Sequence, residues 1–244
     1  MNEKTAIVTG AAKSIGRAIA ERLAGDGANV VINYRSSADE AKETIAAIEK
    51  SGGKAALVQA DITRLEDIKR LFDEAEKQFG RVDVFVANAG VPSRQAVLEV
   101  TEEDFDKVFS VNARGVFFCL QEAARRVADG GRIIVVSSSQ TAHPAEGFAV
   151  YAGSKAASQL FVSVLAQEIG GRNVTVNSVV AGPIESGFLE QADEKYKQQL
   201  RDGTPFGRLG QTADIADAVA LLAMDESRWI SGQHIVVDGA ATHF

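Results

Sequence analysis

Tyr151-Ala152-Gly153-Ser154-Lys155 sets a phenol and an ammonium four residues apart. On a helix that spacing puts both groups on one face, where they can converge on one site. A phenol with a pKa near 10 is a poor acid–base group at neutral pH, and a neighbouring cation favours the phenolate and lowers that pKa. Such a pair also arises by chance, so its weight depends on what accompanies it. Ser138 lies thirteen residues before Tyr151 and just beyond the apolar run 132–137, a second hydroxyl at the end of a strand.

A different chemistry is suggested near the start of the chain, in Thr9-Gly10-Ala11-Ala12-Lys13-Ser14-Ile15-Gly16. An apolar strand runs straight into this turn and a helix follows. Small residues let the backbone turn sharply and approach a pyrophosphate, whose charge sits on the helix N-terminus. Many strand-to-helix turns use glycine for purely structural reasons; the position after the first strand of a βαβ unit favours phosphate binding.

These groups need a scaffold, and the periodicity supplies one. Strands are expected at 5–9, 29–34, 55–60, 82–87, 132–137, 174–179 and 234–237, and helices at 15–25, 38–51, 65–79, 102–112, 115–128, 150–169 and 212–224. Strands alternating with helices of this length indicate βαβ units and a parallel sheet. The strands are continuously apolar, as both faces of a helix-covered sheet require. No linker, repeat or low-complexity tract divides the chain. The expected fold is α/β: one Rossmann-type domain over 1–244, with a doubly wound parallel sheet of about seven strands. Segments 140–149 and 182–210 interrupt the rhythm after strands five and six, where open α/β sheets place ligands. Phe188, Leu189, Tyr196 and Phe206 make the second segment a candidate lid, at about 183–210.

Taken together, these motifs resemble the short-chain dehydrogenase/reductase family, in the branch of carbonyl reductases and 3-oxoacyl-carrier-protein reductases. The family turn is Thr-Gly-x-x-x-Gly-x-Gly; here Ser14 stands at the central glycine. Asn88-Ala89-Gly90 resembles the second half of the family's Asn-Asn-Ala-Gly, with Ala87 replacing the first Asn. Asn177 to Ser186 resembles Asn-x-Val-x-Pro-Gly-x-x-x-Thr, with Ala181 for proline and Ser186 for threonine. The resemblance extends through Asp238-Gly239. It implies hydride transfer between a nicotinamide and a carbonyl carbon. Tyr151 is then the acid, Ser138 the partner of the carbonyl oxygen, Lys155 the cation that also holds the nicotinamide ribose, and Asn112 the holder of a relaying water. It further implies cofactor contacts from Gly10, Lys13, Ser14, Ile15, Gly16, Asp61, Ile62, Asn88, Ala89, Gly90, Gly182, Pro183, Ile184 and Ser186, and from Tyr151 and Lys155 as well. Asp61 would meet the adenine; Ile184 and Ser186 would meet the carboxamide.

The second strand ends Asn33-Tyr34-Arg35. An NAD enzyme is expected to carry Asp or Glu there to bond the ribose 2′-hydroxyl. Tyr34 takes that position, and the Arg35 guanidinium suits a 2′-phosphate. With Lys13 as a second cation, NADPH/NADP+ is the expected cofactor.

Composition bounds the rest. The chain has 244 residues, a formal net charge of −7 and one cysteine. That acidity argues against nucleic acid or an anionic membrane as partner. Cys119 sits on an apolar helix face and is expected in the core. Met1-Asn2-Glu3-Lys4 lacks the features of a signal peptide, so a cytoplasmic location is expected. His143, His234 and His243 have no metal-ligand spacing, so no metal is expected. His143 is expected at the surface, and Trp229 is expected to pack near the end of the sheet.

The substrate is expected to be a small-molecule carbonyl or an acyl thioester. A thioester on an acidic carrier protein would need basic residues at the mouth, for which Arg125, Arg126 and Arg172 are candidates. A non-enzymatic reading, an NADP(H)-sensing module, has no need of Ser138, Tyr151 and Lys155. Finally, Val116, Phe117, Phe118, Cys119, Leu120, Ala123, Ala124 and Val127 make more than one face of helix five apolar, and Leu160, Phe161, Val164 and Leu165 widen the stripe on helix six. Such faces point to burial in a homo-oligomer. The resemblance implies a homotetramer, with a second contact near Val236.

Overall fold

A computed structural model describes residues 1–242; His243 and Phe244 lie outside the described residues, as does the Phe188 side chain. Seven strands form one sheet: β1 Thr5–Val8, β2 Asn29–Tyr34, β3 Lys54–Gln59, β4 Val82–Ala87, β5 Val127–Ser138, β6 Thr175–Ala181 and β7 His234–Val237. Every pairing is parallel, and the spatial order is β3-β2-β1-β4-β5-β6-β7. The order reverses between β1 and β4, and the crevice beyond their C-terminal ends is where such sheets bind ligands.

Successive side chains of a strand face opposite ways, and β1 divides accordingly. Ala6 and Val8 join a core with Ile19, Leu23, Ile32 and Val219, beneath helices α1 (Ser14–Gly25) and α8 (Thr212–Ala223). Ile7 joins the other core with Phe72, Phe85, Leu120 and Ile133, beneath α3 (Leu65–Phe79), α5 (Val116–Arg126) and α6 (Ala149–Ile169). Helix α2 (Ala38–Lys50) completes the first layer through Ala41 and Ile48. Burial on both sheet faces is what the continuously apolar strands required. Cys119 is fully enclosed in the second core, and burial pushes its thiol pKa up.

Three elements depart from the periodicity. Helix α4 (Glu102–Phe109) stops short of Asn112, and Ser110–Gly115 forms a wide π turn before α5. Tertiary bonds draw Asn112 inward there, so local propensity gave no sign of it. Strand β5 begins five residues early, at Val127, crossing Gly130 in the left-handed region with a register shift against β4. Within 183–210 lies an unexpected helix, α7 (Glu194–Asp202), capped by Asp193, which accepts a bond from the Tyr196 amide at 2.8 Å. The ends of the segment are tied together: Glu185 N donates to Gly210 O at 2.8 Å, and Gly210 N to Pro183 O at 2.9 Å. Trp229 corrects the sequence reading. It is 96% exposed: the turn from Met224 to Ser231 lies beside β6 but leaves this ring in solvent. Among the described residues, no helix is long and apolar enough to cross a membrane.

Candidate active site

The turn after β1 is shaped by the residues after β4. Thr9 Oγ1 accepts bonds from the amides of Asn88 (3.0 Å) and Ala89 (3.1 Å), and Asn88 Nδ2 donates to the carbonyls of Thr9 (2.9 Å) and Gly10 (3.2 Å). A Cβ on Gly16 would sit 2.3 Å from Gly10 O and 2.5 Å from Asn88 Nδ2, and one on Gly10 would meet Ala89 Cα at 2.9 Å. Asn88 therefore braces the turn. Asn33, which sequence reasoning passed over, braces it from the other side. Its Oδ1 accepts from Gly10 N at 3.2 Å, and its Nδ2 donates to Ala60 O at 3.0 Å. A buried Asn at the end of an apolar strand was the available signal.

Ser14 adopts φ +52°, the left-handed region where the family motif has glycine. Serine pays roughly 1–2 kcal/mol for that conformation. It does so at the first residue of α1, where its hydroxyl borders the cleft.

A cleft of about 890 Å³ runs from this turn across the C-terminal ends of the strands. All the cofactor candidates border it: Gly10, Lys13, Ser14, Ile15, Gly16, Tyr34, Arg35, Asp61, Ile62, Asn88, Ala89, Gly90, Gly182, Pro183, Ile184 and Ser186, together with Ser138, Tyr151 and Lys155. At the end nearest β2, Lys13 Nζ lies 3.8 Å from Glu40, both side chains being exposed. Asp61 Oδ1 accepts from Thr63 N at 2.9 Å and Thr63 Oγ1 at 2.8 Å, which fixes the carboxylate at the edge of the cleft. Gly182 passes so close to Asp238 that a Cβ on it would lie 2.4 Å from the Asp238 Cβ. The Asp238 carboxylate accepts bonds from Ala240 N (2.9 Å) and Thr242 N (2.8 Å), and Ala241 and Thr242 form part of the cleft wall. Sequence reasoning did not assign the tail to the site.

At the other end, α6 presents Tyr151 and Lys155 together. Lys155 is buried, with Nζ donating to Val136 O at 2.9 Å, and burial brings its pKa down to about 8. Burial raises the Tyr151 pKa, and a hydrogen bond with Ser138 pulls against that rise. The sequence led us to expect a cation-lowered phenol; enclosure instead dominates. Ser138, at the end of β5, also accepts from Gln140 N at 3.3 Å. Asn112 lies behind the cleft, wholly buried. Its Oδ1 accepts from Val91 N at 2.8 Å, and its Nδ2 donates to Val91 O at 2.9 Å and Ser154 Oγ at 3.1 Å. A Cβ on Gly90 would lie 3.2 Å from both Asn112 Oδ1 and Lys155 Nζ, so glycine there lets the two polar groups flank one backbone. His143 is exposed and borders the cleft.

The arrangement offers a braced glycine turn, an end that carries Lys13 and Arg35 and, some way along the sheet, two hydroxyls on the same wall as a buried amine. The family model described as Enoyl-(Acyl carrier protein) reductase matches residues 10–242. A short-chain dehydrogenase/reductase of Pestalotiopsis microspora is 40% identical, with 99% of this chain and 96% of that protein covered. A trihydroxynaphthalene reductase of Colletotrichum orbiculare is 38% identical over 98% of this chain and 89% of its own length. Among solved structures, an angucycline C-6 ketoreductase with bound NADP superposes with a TM-score of 0.93 at 39% identity, covering 98% of this chain and 96% of that one. A short-chain dehydrogenase from Burkholderia cenocepacia in complex with NADP gives 0.93 at 36% identity, covering 98% of each. The chain belongs to the short-chain dehydrogenase/reductase family. It is an oxidoreductase of that family.

Proposed function

We propose that this enzyme reduces the carbonyl of a small-molecule ketone to a secondary alcohol, with Ser138, Tyr151 and Lys155 at the reacting centre. The observation that carries the reading is the placing of Ser138, Tyr151 and the buried Lys155 together on the wall of the cleft, with Lys155 Nζ tied to Val136 O. The cofactor is NADP(H), which when bound supplies or accepts the hydride. The cleft fits it: the Gly10–Gly16 approach leaves bare backbone for a pyrophosphate, and Arg35 brings a guanidinium to the end where a 2′-phosphate would lie. Asp61 and Ile62 would border the adenine, Asn88 to Gly90 the ribose, and Gly182 to Ser186 the carboxamide. Tyr151 gives its proton to the substrate oxygen, and Ser138 steadies that oxygen. Lys155 holds the nicotinamide ribose and passes a proton on to Tyr151. The Asn112 amide is committed to Val91 and Ser154, so a relaying water would be held there by the main chain.

The substrate end is walled by Val91, Pro92, Phe148, Leu189 and Tyr196. Two of these are aromatic, which suits a flat fused-ring ketone; the trihydroxynaphthalene reductase is named for a fused-ring compound and the angucycline enzyme for keto-reduction. The segment 183–210 acts as lid over it. Arg126 is engaged by Asp73, Glu76 and Glu122, Arg125 by Glu122, and Arg172 by Asp129. Cations so engaged are poorly placed to grip a carrier protein, so a free ketone is preferred over a carrier-bound thioester. An NADPH-oxidation screen of fused-ring ketones, diketones, β-ketoesters and 3-oxoacyl thioesters tests this. Highest kcat/KM is expected on the ring ketones; oxidation with none would favour the sensor reading.

The enzyme is proposed to work in the cytoplasm as a homotetramer. Phe117, Leu160 and Val164 are 41%, 68% and 53% exposed on the outer faces of α5 and α6, and Leu221, Trp229 and Ile230 are exposed near β7. These are two apolar surfaces, as a dimer of dimers needs. Light scattering at micromolar concentration is expected to give about four times the 25.9 kDa chain mass. A monomer mass would reject both contacts, and a dimer mass the one near β7.

A further inference from the structure

Outside the reacting centre, one cation lies between two rings that border the substrate end. Arg94, on the loop after β4, has its guanidinium carbon 4.9 Å from the centroid of the Tyr196 ring and 5.7 Å from that of Phe148. Tyr196 belongs to α7 in the 183–210 segment, whereas Phe148 immediately precedes α6 and stands edge-on to Tyr151, with ring centroids 6.2 Å apart. The guanidinium thus links a helix of the lid to the residue next to the acid.

The backbone is arranged to keep it there. Gln95 N donates to Gly147 O at 2.7 Å, joining the Arg94 loop to the loop before α6. Gly147 has φ +85°, and a Cβ on it would sit 3.0 Å from the Arg94 Cγ, so glycine clears the space for the arginine stem. On α7 itself, Lys197 bonds to Glu190 O, and Arg201 pairs with Glu185 and Glu194, all within the segment. Those bonds shape the lid without fastening it to the catalytic side. A guanidinium over a ring face is attracted by the ring quadrupole, and arginine is suited to it because the planar group can stack.

We infer that Arg94 is a positioning residue that pins the lid through Tyr196 and Phe148, closing the substrate end over a bound ketone. The inference rests on reading 183–210 as a lid over a carbonyl substrate. The pin acts on how firmly the substrate is held and not on proton transfer.

Arg94→Ala is expected to raise KM for the ketone about tenfold, the equivalent of two exposed cation–π contacts. KM for NADPH should stay within about twofold, and kcat should hold or rise, since lid opening often limits turnover. Arg94→Lys should recover part of the loss, because an ammonium still attracts the rings. Tyr196→Leu should reproduce the effect, and Arg94→Ala combined with Tyr196→Leu should add little to either alone. Hydrogen exchange across 194–202 in the NADP+-bound protein, measured without substrate, should quicken in Arg94→Ala while α6 keeps its protection. That readout stands even if no ketone is turned over, in which case the functional reading fails and the pin is still judged. Unchanged exchange, or additive effects of the two substitutions, overturns the inference. So does a KM effect confined to ketones bearing a carboxylate, which would make Arg94 a substrate ligand.

Discussion

Tyr151→Phe is expected to lower kcat for carbonyl reduction by about 10²–10⁴-fold, the range a positioned general acid supplies. KM for NADPH should change little, because the substitution removes one oxygen from the substrate side of the cleft and leaves the Gly10–Gly16 turn and Arg35 intact. The ring is held by Phe148, so the phenylalanine should occupy the same place. Enclosure raises the phenol's pKa, which keeps the proton on Tyr151 until a developing alkoxide takes it. Steady-state rates with saturating NADPH, together with cofactor titration by fluorescence, check the two halves of this expectation. Turnover within tenfold of the unmodified enzyme would mean that another group donates the proton.

Arg35→Ala is expected to reduce the preference for NADPH over NADH, measured as the ratio of kcat/KM values, by roughly 10–100-fold. A charge-assisted hydrogen bond contributes about 1.5–3 kcal/mol, and each 1.4 kcal/mol is about a factor of ten. The change should come from NADPH alone, since NADH has no 2′-phosphate to lose a partner. Lys13→Ala should matter less: Glu40 stands 3.8 Å from its ammonium and offsets part of its charge. Equal loss with both cofactors would move Arg35 from phosphate recognition to a general role in the cleft. A preference for NADH in the unmodified enzyme would contradict the reading of Tyr34-Arg35.

The parts of the site that could be read in the sequence are those fixed by local geometry. A strand, a glycine turn and a helix start are consecutive, so Gly10 to Gly16 could be read as a candidate phosphate turn. The Tyr151–Lys155 spacing declared a common helical face. What escaped notice depends on contacts between distant segments. The π turn at Ser110–Gly115 accompanies the bonds of Asn112 to Val91 and Ser154, neither nearby in sequence. Helix α7 is polar apart from Tyr196 and Leu200, too short an apolar stripe to stand out, and its other local signals were Asp193 at the cap, Glu194 in the first turn and Arg201 in the last. Asn33 and Arg94 look like a strand residue and a loop residue until the folded chain shows what they brace. Trp229 shows the converse error: a large aromatic ring suggested burial, and only the path of the chain reveals that it stands 96% exposed.

The cleft draws its walls from Gly10 near one end of the chain to Thr242 near the other. Unfolding of any segment that supplies a wall breaks the cleft, so whatever fills it binds the native chain in preference to such forms. By mass action, a ligand at one hundred times its dissociation constant then adds about 2.7 kcal/mol to stability. For a protein of ordinary marginal stability that is a large fraction of the total. The enzyme's lifetime against heat and proteases is thereby tied to the supply of its own cofactor.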